Sequence, residues 1–205
     1  VTEDKMIGSE GAAADFVERI ARAAEARMRR DHAQLLERKR EERPDADRVD
    51  PWDSAWLQER VKAERYGFDS QSVRPYFEYA RVKQGVLDVT GRIFGIAYRR
   101  APDAPVWHPE VEAWDVVEDG ALLGRVYLDM HPREGKYKHY AQFTLASGQA
   151  GRRLPEGVLV CNFPRPAPGA PALMEHGDVR TFFHEFGHLL HHVLGGHTRW
   201  AGQSG

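Results

Sequence analysis

Residues 182–192 have the sequence FFHEFGHLLHH and contain four of the ten histidines in the chain. On a helix with about 100° per residue, these histidines fall on the side opposite an apolar stripe. The histidines are His184, His188, His191 and His192, and the stripe consists of Val179, Phe182, Phe183, Phe186, Leu190, Val193 and Leu194. We expect Asp178 to cap the start of this helix and Gly195-Gly196 to end it. The stretch therefore predicts an amphipathic helix that packs by its apolar stripe and keeps its histidines out of the core.

Two of these histidines have the spacing of a zinc site. His184 and His188 are four residues apart, so they lie one turn apart on one face and can both bind one zinc ion at about 2.0–2.1 Å. Glu185 follows the first histidine and can reach a water bound to the same metal, as in the pattern H-E-x-x-H. Zinc lowers the pKa of its water to roughly 7. We expect Glu185 to take the proton and to pass it to the leaving amine, which predicts metal-assisted hydrolysis.

The spacing does not supply a third zinc ligand. His191 lies seven residues after His184, or about 10.5 Å along the helix axis, and His192 lies further still. Neither can therefore join His184 on one tetrahedral centre. The short-spaced metzincin pattern also fails, because it requires glycine at position 191 and histidine at position 194. The third ligand must come from another element, and His197 and the upstream glutamates and histidines all stay open.

The rest of the chain predicts an α+β protein, mainly α with a small antiparallel β-sheet. Helical spacing of apolar residues marks residues 12–43, 52–67 and 72–95, with breaks expected at Pro75 and Gly85. We expect Asp53 or Ser54 to cap the second helix at its start and Gly67 to close it. Five short runs rich in Val, Tyr, Phe and Leu follow between residues 93 and 163, and Asp119-Gly120 suits a hairpin turn. Residues 1–92 are thus a helical region, and residues 93–205 combine the sheet and the histidine helix in the same catalytic domain.

The overall composition excludes several classes of protein. The 205 residues are 41% hydrophobic and 29% charged, with a net charge of −2, so nucleic acid and anionic membranes are not expected partners. No apolar run reaches the length of a membrane span. The single cysteine, Cys161, predicts a reducing compartment such as the cytoplasm and a buried apolar position. Arginines in residues 27–40 alternate with acidic residues, which is more typical of a solvated helix face than of a nucleic-acid site. The start at Val1 and the ending RWAGQSG predict a piece of a longer polypeptide.

Four stretches resemble the thimet oligopeptidase-like family of zinc metallopeptidases. They are YLDMHPREGKYKHYAQFTL (127–145), VCNFPRP (160–166), PALMEHGDVRTFFHEFGHLLHH (171–192) and RWAGQSG (199–205). Residues 1–49 carry no motif of the family. Met130-His131 also differs, because family members often have a pair such as Leu-Tyr at this place. The resemblance implies a zincin-like catalytic region of a helical, two-lobed peptidase with a deep channel, and the chain would be incomplete at both ends.

The resemblance also implies an activity and a site. Family members bind zinc and cleave short peptides, so Zn²⁺ is the expected cofactor and short peptides the expected partners. His184 and His188 would be the zinc ligands and Glu185 the general base. The family's third ligand is a glutamate about two dozen residues after the second histidine, which would lie beyond Gly205. The tyrosine and histidine that help to hold the oxyanion lie further downstream.

The sheet has an expected role in binding the peptide. An exposed strand edge beside a zinc helix can align a substrate through main-chain hydrogen bonds. The candidate strand runs from His139 to Phe143, with Tyr140, Ala141 and Gln142 as the substrate-binding residues. A strand that is paired on both sides is an equally open alternative.

Three functions remain to be weighed. The leading hypothesis is a zinc-dependent oligopeptidase, although the 205 residues alone are expected to be inactive because the third ligand is missing. The second is a truncated or degenerate peptide-binding module that binds metal weakly and does not catalyse. The third is a helical interaction protein that binds no stoichiometric zinc. Cleavage specificity, endopeptidase or dipeptidyl carboxypeptidase action, and oligomeric state do not follow from the sequence.

Overall fold

The structure, a computed structural model, describes residues 6–67 and 69–202. It divides into two compact units, Val1–Ser70 and Gln71–Gly205. The predicted boundary at residue 92 lies between the helical region and the region of the sheet and the histidine helix, and it stays a prediction. The last three residues of the stretch RWAGQSG lie outside the described residues.

The first unit contains two helices, α1 (Glu10–Glu42) and α2 (Pro51–Tyr66). Ser9 caps α1, because its side chain accepts a hydrogen bond of 3.1 Å from the backbone N–H of Ala12. Helix α2 begins earlier than predicted. Asp50 is its N-cap, and Asp53 is the third helical residue and completes a capping box. The helix starts at Pro51 because the fixed φ of proline suits the first helical position. Gly67 closes α2 in the left-handed region, with φ of 59°, as expected.

Ion pairs join α1 to α2. Lys39 is buried, and its ammonium contacts the Asp53 and Asp50 carboxylates at 2.5 and 3.3 Å. Arg38 is buried as well and contacts Glu64 at 2.6 Å. The apolar residues whose spacing predicted α1 are not buried. Four of them are 48–65% exposed, namely Phe16, Val17, Ile20 and Met28. Periodicity thus identified the helix, and buried ion pairs connect it to α2.

A short 3₁₀ helix covers Ser70–Tyr76, and helix α3 (Tyr79–Phe94) follows it in the second unit. Pro75 lies within the 3₁₀ helix, which ends at Tyr76, so the break expected near Pro75 is present. Helix α3 is continuous through Gly85, where an interruption was predicted. A single glycine costs an interior helix only about 1 kcal/mol. The burial of Tyr79, Val86 and Leu87 on one face of α3 is sufficient to offset that cost.

All five predicted strands are present. They are β1 (Ala97–Arg100), β2 (Glu112–Glu118), β3 (Ala121–Asp129), β4 (Ala141–Ala146) and β5 (Glu156–Val160). Asp119 and Gly120 both have positive φ, of 47° and 84°, and they form the predicted hairpin turn between β2 and β3. The structure is α+β, as predicted.

The sheet is mixed, so the prediction of an antiparallel sheet was wrong. Its strand order is β1-β2-β3-β5-β4, and β5 pairs with β3 in parallel. The cause is the segment 130–140, which carries the chain from β3 past the position of β5 to the outside of the sheet. Strand β5 then returns antiparallel to β4 and enters between β4 and β3. Strand β4 is therefore an edge strand within the described residues.

Helix α4 (His176–Gly195) packs on one face of this sheet. It begins before Asp178, the predicted cap. Glu175 is the N-cap, and the Asp178 carboxylate accepts a 3.0 Å hydrogen bond from the Glu175 backbone N–H. The main core lies between the sheet, α3 and α4, and a smaller apolar cluster on the other face of the sheet includes Val158 and Val160.

Candidate active site

The solvent side of α4 carries the three residues of the predicted zinc site. His184 and His188 are exposed, and Glu185 between them is partly buried. The opposite side of the helix is anchored in the core by Phe182, Phe186 and Leu190, which are at most 2% exposed. Burial of three such side chains holds the helix to the sheet, because each contributes roughly 1.5–3 kcal/mol. The anchored core side fixes the direction in which His184 and His188 point.

The two imidazoles have the geometry that a tetrahedral metal requires. Their Nε2 atoms are 3.3 Å apart, and the rings stand nearly perpendicular, with centroids separated by 4.8 Å. Two zinc–nitrogen bonds of about 2.05 Å that meet at the tetrahedral angle separate their nitrogens by roughly 3.3 Å. The donors are imidazole nitrogens, which zinc accepts readily. His184 and His188 therefore fit a zinc ion as two of its ligands.

No complete metal site is present among residues 6–67 and 69–202, where three or more His, Cys, Asp or Glu side chains do not converge. The assignment of His184 and His188 as zinc ligands, and of Glu185 as base, accordingly stays a prediction. His191 is exposed one turn beyond His188.

His192 does not belong to the exposed side of the helix, and the prediction was wrong for this residue. It is only 5% exposed, and its Nε2–H donates to the carbonyl oxygens of Ala146 and Glu156, both at 3.1 Å. Its Nδ1 accepts a hydrogen bond of 3.4 Å from the Thr144 hydroxyl. Phe183, which was predicted on the apolar stripe, is 40% exposed, and Leu189, which the predicted stripe did not include, is fully buried. The buried face of α4 is rotated toward β4 and β5 relative to the predicted stripe.

His192 ties the helix to an irregularity in the sheet. The register of β4 against β5 shifts between Thr144 and Ala146, with Leu145 as the extra residue. Ala146 and Glu156 face each other at this bulge, and the His192 N–H reaches the carbonyl oxygens of both. The imidazole thus joins the helix that carries the zinc motif to the edge strand.

A groove of about 390 Å³ lies between this edge strand and α4. Gln142 and Thr144 line its strand side, whereas His188, His191 and His192 line its helix side. The end of β4 and the outer face of the helix therefore open onto one cleft beside the candidate zinc ligands.

The three predicted substrate-binding residues occupy different positions. Ala141 is the first residue of β4, and Gln142 follows it with its side chain toward the groove. Tyr140 precedes the strand, and its ring stacks on Phe163 with centroids 5.3 Å apart. Its hydroxyl donates to Asp178 at 3.3 Å, and burial together with the Asp178 charge raises the pKa of Tyr140 to about 12. The phenol remains neutral at physiological pH and fixes the start of β4 against the first turn of α4.

Sequence reasoning missed a buried ionic cluster that holds the segment before β4. Arg133 binds the Asp129 carboxylate through two bonds of 2.6 and 2.8 Å, and the Trp107 N–H donates to it at 3.0 Å. The Lys136 ammonium contacts the same carboxylate and donates to the backbone carbonyls of Asp129, His131 and Cys161. Burial alone raises the pKa of Asp129, but these donors outweigh it and hold that pKa well below its usual range. The signal in the sequence was Asp, Arg and Lys at positions 129, 133 and 136, immediately after an apolar strand.

Cys161 lies next to this cluster. It is fully buried, as predicted, and burial raises the pKa of its thiol well above the usual value. A neutral, enclosed thiol is neither a metal ligand nor a nucleophile at physiological pH.

Comparison with known proteins identifies the family of the chain. The profile of peptidase family M3 matches residues 1–200. The chain belongs to peptidase family M3, which confirms the resemblance found in the sequence. Its relatives are peptidases by name, and the described residues contain no helix long and apolar enough to cross a membrane.

Three relatives show the extent of the similarity. Oligopeptidase A of Escherichia coli is 36% identical over 187 residues, which cover 88% of this chain and 27% of the relative. Dipeptidyl carboxypeptidase of the same organism is 33% identical over 210 residues, covering 98% of this chain and 30% of the relative. Saccharolysin of Saccharomyces cerevisiae is 31% identical over 156 residues, covering 70% and 22%. The chain thus spans less than a third of the length of these relatives.

Proposed function

We propose that this chain is part of a zinc-dependent oligopeptidase that hydrolyses peptide bonds in short peptides. The observation that carries the proposal is the 3.3 Å separation of the His184 and His188 Nε2 atoms, with Glu185 between them on one helix. Membership of family M3 supports the peptidase class. A location in the cytoplasm stays a prediction.

Each residue of the motif has a proposed task. His184 and His188 hold the metal through Nε2, and the glutamate that the family resemblance implies beyond Gly205 is the proposed third ligand. Bound zinc supplies a Lewis acid for the scissile carbonyl and a water of lowered pKa. Glu185 accepts the proton of the attacking water and passes it to the leaving amine.

The edge strand and the groove have the proposed task of holding the substrate. A peptide that extends β4 forms main-chain hydrogen bonds that do not depend on its side chains. The peptide then runs along the groove lined by Gln142, Thr144 and His188. Such a site accepts extended segments and excludes folded proteins, whose strands are already paired.

The decisive experiment uses the natural protein that contains this chain. Glu185→Gln should lower turnover of a quenched fluorescent peptide by about 10²- to 10⁴-fold, the usual contribution of a general base. Zinc content should stay unchanged, because Glu185 is not a ligand in this proposal. Glu118→Gln, at an exposed position on β2, is the matched control and should have normal turnover.

The same assay separates the enzyme from a degenerate peptide-binding module. The module would bind peptide and zinc weakly and would show the same absence of turnover in the wild type and in Glu185→Gln. Normal turnover in Glu185→Gln would refute the mechanism. His184→Ala should lose stoichiometric zinc, whereas His191→Ala should retain it, and loss of zinc in both variants would contradict the ligand assignment.

A further inference from the structure

The two edges of the sheet differ in chemistry. Strand β1, at one edge, ends with Arg99 and Arg100. Strand β4, at the other, has the sequence AQFTLA, without a charged residue or proline. Natural edge strands are commonly protected against pairing by charges or prolines. Strand β4 lacks these devices, although its Phe143 and Leu145 are 44% and 48% exposed.

Phe143 points to the face of the sheet that lies away from α4. It is opposite Val158, which belongs to the smaller apolar cluster on that face. Gln142, one residue earlier, is opposite Leu159 of the main core and lines the groove. Successive side chains of a strand alternate between faces. The edge therefore has a polar side toward the histidines and an apolar side at Phe143.

A second aromatic residue extends this apolar side. The Tyr137 ring is 51% exposed and meets the Phe143 ring edge to face, with centroids 5.6 Å apart. The backbone around Tyr137 is fixed, because the Asn162 amide donates to the carbonyls of Tyr137 and His139 at 3.1 and 3.2 Å. Tyr137 and Phe143 form what we call the aromatic edge patch. Its two rings contact each other, and the backbone that carries Tyr137 is tied to Asn162.

We propose that the aromatic edge patch is a substrate subsite that selects apolar side chains. This inference rests on the proposed function, in which an extended peptide pairs with β4. Alternate side chains of such a peptide face the groove and the aromatic edge patch in turn. The side chain opposite Phe143 lies about 4.5–5.5 Å from it between Cβ atoms, close enough for an apolar residue to cover the exposed ring. The substrate class is therefore a short peptide with a large apolar residue at one set of alternate positions.

The test measures preference within each enzyme variant. A series of quenched fluorescent peptides of about ten residues, enough to span the six-residue β4, carries one Phe, one Ser or one Glu at each position in turn. The ratio of kcat/KM for Phe over Ser at each position cancels the concentration of active enzyme. A partly misfolded variant therefore still gives a valid ratio.

We expect the wild-type ratio to exceed one at alternate positions. Phe143→Ser should lower it by about three- to tenfold at those positions only, since it removes one cross-strand aromatic contact and its apolar burial. Phe143→Lys should create a preference for Glu over Ser at the same positions, because opposite charges attract across strands. Phe94→Ser is the matched control. Phe94 is 47% exposed at the end of α3, and its replacement should leave every ratio unchanged.

The outcomes distinguish this inference from the proposed function. Wild-type cleavage that Glu185→Gln abolishes, with ratios unchanged in Phe143→Ser and Phe143→Lys, overturns the subsite alone. If Phe143→Ser instead dissolves a dimer without altering the ratios, the patch is an interface between copies and the subsite is again overturned. Absence of wild-type cleavage overturns both proposals together.

Discussion

Replacement of His192 by alanine tests how the zinc helix is joined to the edge strand. The His192 ring is 5% exposed, and its N–H reaches the carbonyls of Ala146 and Glu156 at the β-bulge. The variant removes this donor and leaves a cavity between α4 and the two strands. The neighbouring residue His191 is exposed and provides a matched control at the next position of the same helix.

The structure sets the size of the effect. The bifurcated hydrogen bond of the His192 N–H and the hydrogen bond that its Nδ1 accepts from Thr144, at about 1 kcal/mol each, and the cavity left by a buried ring together amount to about 3 kcal/mol. Because 1.4 kcal/mol corresponds to tenfold, local opening of β4 should become about a hundredfold more frequent. His192→Gln should fall between wild type and alanine, since its amide N–H groups can still donate to the strand carbonyls but its side chain does not fill the space of the buried ring.

Amide hydrogen exchange followed by mass spectrometry is the assay. Exchange in peptides that cover residues 141–160 should accelerate by about two orders of magnitude in His192→Ala when opening is at equilibrium. His191→Ala should alter exchange by less than about threefold, as expected for an exposed position. Equal protection in His192→Ala and wild type, or equal acceleration in both variants, would refute the role assigned to His192.

Two further predictions concern the loops that flank β4. Asp129→Asn should lower the free energy of unfolding by about 3 kcal/mol at pH 7, because it leaves the Lys136 and Arg133 charges without their buried partner. The pKa of Asp129 is depressed in the folded state, so the stabilisation by its carboxylate is present above about pH 4 and is lost as the pH falls further. Urea unfolding at pH 7 and pH 3 should therefore show a smaller loss of unfolding free energy between the two pH values in Asp129→Asn than in wild type. An equal loss in both proteins would contradict this. Gly148→Ala should destabilise the turn after β4 by about 1–3 kcal/mol, because the new Cβ would meet the backbone carbonyl oxygen of Gly196 at 2.0 Å. An unchanged urea midpoint in Gly148→Ala would show that this contact can relax without cost.

Much of the fold follows from local patterns in the sequence. The helices were found from apolar periodicity, and the five strands from short apolar runs between Gly, Pro and Asp-Gly. The hairpin at Asp119-Gly120 was predictable because a turn with two positive φ values favours that pair. Helix starts were less accurate. Asp53 and Asp178 both lie at the third position of a capping box rather than at the cap, and the two roles use the same residue types.

The sequence by itself determined the catalytic hypothesis, because His184, Glu185 and His188 lie within five residues on one helix and their relative placement depends only on helix geometry. The tertiary structure decided everything that depends on distant parts of the chain. It placed β5 between β3 and β4, since a strand order cannot be read from runs that pair at long range. It turned His192 from the predicted solvent face into the sheet, because two strand carbonyls separated in sequence by ten residues converge there to accept its N–H. It also placed β4 at the edge of the sheet beside the histidines, so that the strand edge and the helix with the motif border one candidate peptide cleft.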